Sequence, residues 1–165
     1  MKKLIALFLF LIWFSPVSAE APKRIISLAP STTEMLFALG LGENIIGVTN
    51  FCDYPEDAKK KPKIGGMSNP SLEAVVSLRP DIVIMTTDGN PKEFEERLRS
   101  LRIKTYVFTA RRISELPYGI REMGIALGVK ENAERLAGEI EGSLKKSEFR
   151  VQNPEVRMKL PTSNL

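Results

Sequence analysis

The side chains that could do chemistry are few in this sequence of 165 residues, and their scarcity is informative. It contains no histidine and a single cysteine, Cys52. The first absence removes the serine–histidine–aspartate relay, imidazole general bases and the usual imidazole zinc sites. The second removes thiolate clusters and an internal disulfide framework. Cys52 therefore reads as a packed or idle thiol. Carboxylate pairs such as Glu95–Glu96 fall on helical faces turned to solvent, where acid–base work is not expected. Gly40-Leu41-Gly42 follows a helix instead of joining a strand to one, so it is not a nucleotide loop. No phosphate-binding loop of the Walker type is present. Enzymatic turnover is therefore not expected, and binding is.

Charge narrows the class of ligand. The chain carries 24 basic and 20 acidic residues, a net +4. They are interleaved, except for Lys59-Lys60-Lys61-Pro62-Lys63, which reads as a solvated loop. A nucleic-acid binder would show a basic face or a recognisable motif, and none is expected here. Residues 1–19 read as a secretory leader: Lys2 and Lys3, an apolar run from Leu4 to Phe14, then small residues at Val17 and Ala19. The run is short for a membrane span. Cys52 lies far from the cleavage point, so no lipid-bearing cysteine is expected there and the mature protein is expected to be periplasmic. Lys2 and Lys3 leave with the leader, so 22 basic and 20 acidic residues stay on 146, a net +2. That length suffices for one core.

The elements that must position a binding site alternate. Apolar runs at 24–29, 44–49, 82–85 and 104–108 read as strands. Amphipathic segments beginning near Ser31, Pro70, Pro91 and Leu116 read as helices. Ser31-Thr32-Thr33-Glu34 has the spacing of a capping box, with Ser31 accepting from the third helical amide. Asn69-Pro70 and Asn90-Pro91 read as helix starts, in which asparagine caps and proline occupies the first turn. Leu72, Val75 and Val76 share one face of the second helix, and Arg79-Pro80 ends it. Alternation of this kind predicts a parallel sheet with right-handed crossovers. The expected fold is α/β: one Rossmann-like lobe over 20–129 with a four- or five-stranded parallel sheet flanked by helices. A charged helix follows over 130–150, with a narrow apolar stripe of Ala133, Leu136, Ala137, Ile140 and Leu144. A tail of 151–165 completes the chain.

In an open parallel sheet, ligands sit beyond the carboxyl ends of the strands. Those ends are Ala29-Pro30-Ser31, Asn50-Phe51, Thr86-Thr87-Asp88 and Thr109-Ala110-Arg111. Phe51 and Met67 could supply an apolar wall, and Ser31, Thr87, Asp88 and Arg111 convergent polar groups. Each also has a structural reading: Ser31 as a helix cap, Phe51 and Met67 as core, Asp88 as a turn former, Arg111 as a surface charge. The long loop from Asn50 to Ser68 is of a length that usually serves function.

Together the motifs resemble the N-terminal lobe of periplasmic binding proteins for iron complexes or vitamin B12, nearest the cobalamin-binding branch. The stretches that carry the resemblance come in family order: Arg24 to Glu34, Gly47 to Pro55, Ile64-Gly65-Gly66, Pro70-Ser71-Leu72-Glu73, and Leu78 to Val83. The resemblance runs from about Lys23 to Phe149. It implies two α/β lobes joined by one long helix, with a metal chelate held between them and delivered to the membrane subunits of an ABC importer. It implies no intrinsic cofactor. Glu73 matches the N-lobe glutamate that pairs with importer arginines. The cobalamin branch carries aromatic residues where this chain has Phe51, Met67 and Thr86, of which only Phe51 is aromatic. Haem and ferric siderophores therefore stand beside cobalamin as expected ligands. With the C-terminal lobe absent, a truncated product is expected. The alternative is a stand-alone secreted module that pairs through Leu136, Ile140 and Leu144.

Overall fold

The computed structural model describes residues 21–152. The expected leader, and the tail from residue 153 onward, lie outside the described residues. Four short strands form a parallel sheet: β1 (Ile25–Ser27), β2 (Ile45–Val48), β3 (Ile82–Thr86) and β4 (Lys104–Phe108), in the order β2-β1-β3-β4. Among the described residues six α-helices accompany them: α1 (Pro30–Ala38), α2 (Glu56–Lys59), α3 (Leu72–Ser77), α4 (Lys92–Ser100), α5 (Leu116–Ala126) and α6 (Lys130–Gln152). The expected α/β class with a four-stranded parallel sheet is what the structure shows. A fifth segment extends the sheet without becoming a strand. Lys63 bridges Val48 in parallel; the Val48 amide donates to Pro62 O at 2.9 Å and the Ile64 amide to Val48 O at 3.0 Å.

Strand β1, most of β2 and the centre of β3 are buried on both faces, as near-continuous apolar runs in parallel sheets require, while the edge strand β4 is half-buried between an exposed Lys104 and a buried Phe108. Alternate residues point to opposite layers. Ile25, Ile45, Ile84 and Phe108 pack with Leu36 and Leu39 of α1, Ile120 and Met123 of α5, and Ala133 and Ala137 of α6. Ile26, Leu28, Val83 and Met85 pack with Val75 of α3 and with Phe94 and Leu98 of α4. The amino ends of β1 and β3 are tied by Asp81, whose carboxylate accepts the Lys23 and Arg24 amides at 3.0 Å each.

Several local expectations are corrected. Helix α1 begins two residues earlier than a Ser31 cap allows. Pro30 enters as its first residue, Ala29 is the N-cap and no side chain caps it. Ser31 is thus already inside the first turn, where its hydroxyl is misplaced for capping. Asn69-Pro70 does not start α3 either. Pro70 pairs with Gly65 in an isolated antiparallel bridge, and Ser71 caps the helix by accepting from the Ala74 amide at 3.2 Å. In α4 the N-cap is Pro91 with no side-chain bond, because Asn90 is engaged elsewhere. Val76 is exposed while Val75 is fully buried, so the face of α3 is narrower than its spacing suggests. The lysine run is not a plain solvated loop. Lys59 closes α2, and Lys63 Nζ donates to Cys52 O at 2.8 Å. Leu136 and Ile140 are half-buried against the core, so this part of the stripe on α6 is covered by its own lobe.

Candidate functional site

The sheet order creates a switch point. The chain leaves β1 toward β2 on one side and, returning through β3, proceeds to β4 on the other. The cavities lined by Ile82 and Lys104 lie at the amino edge of the sheet. At the opposite edge, beyond the carboxyl ends of β1 and β3, the two connections part, the position where open α/β sheets take ligands in a crevice.

Two polar arrangements shape its walls. The first is fully buried beneath it. Thr33 Oγ1 lies 2.8 Å from Ser27 Oγ, 3.0 Å from Ala29 O and 3.2 Å from Cys52 Sγ. Ser27 Oγ is 2.7 Å from Thr32 Oγ1, and Thr49 Oγ1 is 3.0 Å from Cys52 Sγ. Hydroxyls and one thiol thus join the end of β1, the first turn of α1 and the loop after β2. Burial of so many polar groups is tolerable because each has a partner; among the described residues no buried side-chain nitrogen or oxygen lacks one. This network anchors Cys52 at 0 % exposure while the adjacent Phe51 stands 70 % exposed. Tyr54, three residues on, is 68 % exposed. A phenylalanine so exposed beside a fully buried neighbour makes an apolar wall facing solvent.

The second arrangement centres on Asn90. Its Nδ2 donates to Leu28 O and to Met67 O, both at 2.9 Å, and its Oδ1 accepts the Thr86 amide at 2.8 Å. Two carbonyls and one amide leave a single consistent orientation of the side-chain amide. One residue thereby fastens the end of β1, the glycine loop at 65–67 and the end of β3. Gly89, at φ +106°, adds room: a Cβ there would collide with the methyl of Met67. Met67 thus packs over the loop that follows β3.

All seven sequence-predicted site residues lie at the carboxyl edge of the sheet, though not in one cluster. Met67, Thr86, Thr87 and Asp88 gather around the end of β3; the Asp88 amide donates to Thr86 Oγ1 at 3.3 Å. Ser31 is exposed at the start of α1, beside the crevice. Phe51 follows one edge strand and Arg111 the other, separated by three strand spacings, about 14 Å. Beside Arg111, the Glu115 carboxylate accepts the Arg111 amide at 3.0 Å and the Arg112 amide at 3.3 Å. These two backbone bonds, with the Arg112 guanidinium, hold its pKa below the usual carboxylate value. Glu73 is exposed in the first turn of α3. That helix descends from the glycine loop to the amino end of β3, so Glu73 also stands on the carboxyl-edge rim. Among the described residues no three histidine, cysteine, aspartate or glutamate side chains converge on a possible metal position. No helix among them is long and apolar enough to cross a membrane.

Sequence reasoning missed Asn90 and the Thr33–Cys52–Thr49 contacts. Asn-Pro is a common helix start, and nothing local marks an asparagine whose partners lie 23 and 62 residues away. The exposed Tyr54 was likewise not singled out.

Comparison with known proteins gives a consistent picture. Residues 25–158 match the family model described as periplasmic binding protein. The vitamin B12-binding protein of Pectobacterium atrosepticum is 33 % identical over 135 residues, which cover 79 % of this chain and 48 % of that protein. Among solved structures, a periplasmic heme binding protein from Pseudomonas aeruginosa superposes with a TM-score of 0.75 at 25 % identity, over 82 % of this chain and 49 % of that one. The periplasmic vitamin B12 binding protein of Vibrio cholerae gives 0.72 at 28 % identity, over 80 % and 51 %. The chain spans about half the length of these relatives.

Proposed function

This chain belongs to the periplasmic binding protein family, and on that premise we propose that its carboxyl-edge crevice is one wall of a binding site for a metal chelate of the cobalamin or haem kind. The observation that carries this reading is Phe51: a large ring held 70 % exposed at the crevice by a buried, fully hydrogen-bonded neighbour. Flat macrocycles are recognised by apolar faces with a few polar groups placed around them. Phe51 and Met67 supply the face, and Ser31, Thr86, Thr87, Asp88 and Arg111 the polar groups. Relatives that bind vitamin B12 or heme, as their names state, support the ligand class; ferric siderophores form a third class. The role is capture in the periplasm after export by the 1–19 leader, followed by delivery to the membrane subunits of an ABC importer. Glu73 on the rim is the docking carboxylate, steering and orienting the encounter more than adding affinity. No step of this role requires turnover.

The test is titration by absorbance with cyanocobalamin, hemin and a ferric siderophore. It is run on the chain itself and on a chimera continued with the remaining half of the Vibrio cholerae protein. Saturable binding of one ligand by the chimera, weakened by Phe51→Ala without loss of folding, is expected. Failure of all three to bind the chimera overturns the reading.

A further inference from the structure

The Gly89–Asn90 pair lies outside the residues assigned to ligand contact, yet it determines where one of them sits. Three bonds of 2.8–2.9 Å converge on the Asn90 side chain. One of the two carbonyls it holds is that of Met67 itself. The Met67 methyl occupies the place that a Cβ on residue 89 would need. Backbone and side chain of Met67 are therefore both seated on the loop that leaves β3, although 22 residues separate Met67 from Gly89 in sequence.

The reach of Asn90 explains why the arrangement is stiff. The glycine loop has conformational freedom of its own, with Gly65 at φ +103°, where glycine alone is at ease. Two further bonds hold the chain on either side of the loop: the Asn50 amide donates to Gly65 O at 2.9 Å, and the Ser71 amide to Ile64 O at 2.8 Å. Between them, Met67 O is held by Asn90. With that donor removed, the carbonyl turns to water and the loop is free to carry Met67 off the crevice. Asn90 also closes the end of β1 through Leu28 O, so it registers both sides of the switch point against one another.

We propose that Asn90 is a positioning residue for the binding site, acting through Met67, and that Gly89 is the complementary space into which Met67 packs. The pair sets the width of the crevice between the glycine loop and the end of β3, and with it the size of chelate the site accepts. This rests on the reading of the crevice as a chelate site, but the positioning itself is measurable without ligand.

The experiment labels the methionine methyl groups with carbon-13 and follows them by NMR in the full chain. In Asn90→Ala the Met67 methyl moves toward the resonance of a solvent-exposed methionine, while those of Met85 and Met123, both buried in the core, stay in place. Gly89→Ala, which keeps the Asn90 side chain, also displaces the Met67 resonance, because the added methyl takes its seat and a side chain at φ +106° strains the loop. A Met67 resonance unchanged in Asn90→Ala overturns the proposal. If Met85 and Met123 move too, Asn90 supports the whole fold and its positioning role is overturned; an unchanged Met67 in Gly89→Ala overturns the seat assigned to its methyl. In the chimera, Asn90→Ala is expected to weaken cyanocobalamin binding roughly tenfold, as loss of one or two net hydrogen bonds does. A Met67 response to the variants with no response to cyanocobalamin, hemin or a ferric siderophore leaves the positioning standing and removes the chelate reading.

Discussion

At the scale of single residues, burial and partnership decide what a side chain does here, and side-chain type alone does not. Tyr106 on β4 shows this. Burial, reinforced by the nearby Glu122 and Tyr118, pushes its phenol from an ordinary value near 10 up to about 12. The sign follows from linkage: the unfolded chain loses the proton first, so Tyr106 contributes fully below pH 10 and the contribution is lost as pH rises toward 12. An absorbance titration is expected to show a phenolate step at about 12 that Tyr106→Phe abolishes. Loss of amplitude near 10 instead of near 12 in Tyr106→Phe would show the phenol to be unperturbed. Phe51 and Cys52 make the same point about legibility. Both were visible as residues of interest, but the sequence could not say which of two adjacent positions faces inward. That depends on Thr33 and Thr49, contributed by α1 and by the end of β2. Ser31 and Asn90 were misread for a related reason. Capping preferences are local, and in both cases a proline beside the residue shifted the helix start away from the expected cap.

At the scale of elements, the sequence was read more fully. Strand periodicity and turn residues placed all four strands within two residues of their observed bounds. Gly40 and Gly128 end α1 and α5 at φ +80° and +72°, as stop signals of this kind predict. Less legible was how closely α5 and α6 approach. A Cβ on Gly124 would fall on that of Ala133, so the two helices touch nearly backbone to backbone. Arg121 reinforces the contact: its guanidinium donates to Glu134 through two nitrogens at 2.9 Å and also reaches Glu141. Hydrogen bonds from Arg121 hold both carboxyls below their ordinary pKa. Substitution of two glycines should therefore act in opposite senses. Gly124→Val overpacks the contact and is expected to destabilise by about 1–3 kcal/mol. Gly138→Ala, with nothing within 4 Å of its added methyl, is expected to stabilise by up to ~1 kcal/mol through helix propensity. Urea unfolding midpoints check both, and a shift of the same sign in the two variants would contradict the close approach.

For the whole molecule, the parallel sheet makes one edge the working edge. The first turns of α3 and α4 lie there, and with them the exposed carboxylates Glu73 and Glu93. Cationic side chains in the last turn of α4, Arg97 and Arg99, lie at the other edge. Charges so arranged follow the helix dipoles and give the lobe an electrostatic direction along its strands. Within that arrangement Glu73 is the docking candidate. In the chimera, Glu73→Lys is expected to leave chelate affinity unchanged while weakening association with the importer's membrane subunits in detergent, the defect growing as salt is lowered. Unchanged association would remove the role from Glu73. The family resemblance was legible because its motifs lie on the turns and caps that build this edge. The ligand was not, because the crevice width depends on distant pairs such as Asn90 with Met67.

Helix α6 runs 23 residues, about 34 Å, beside an α5 of roughly 16 Å. Its contact with α5, from Ala133 to Glu141, is therefore a pivot, and the stretch beyond is a lever. From Ala137 to Val151 the arm is about 21 Å, so a tilt of about 10° at the pivot sweeps the far end by ~4 Å. Small changes at Gly124 or Arg121 thus become large displacements at Phe149 and Val151. The far end of α6 takes its aim from Ala133, Glu134 and Glu141, held against Gly124 and Arg121.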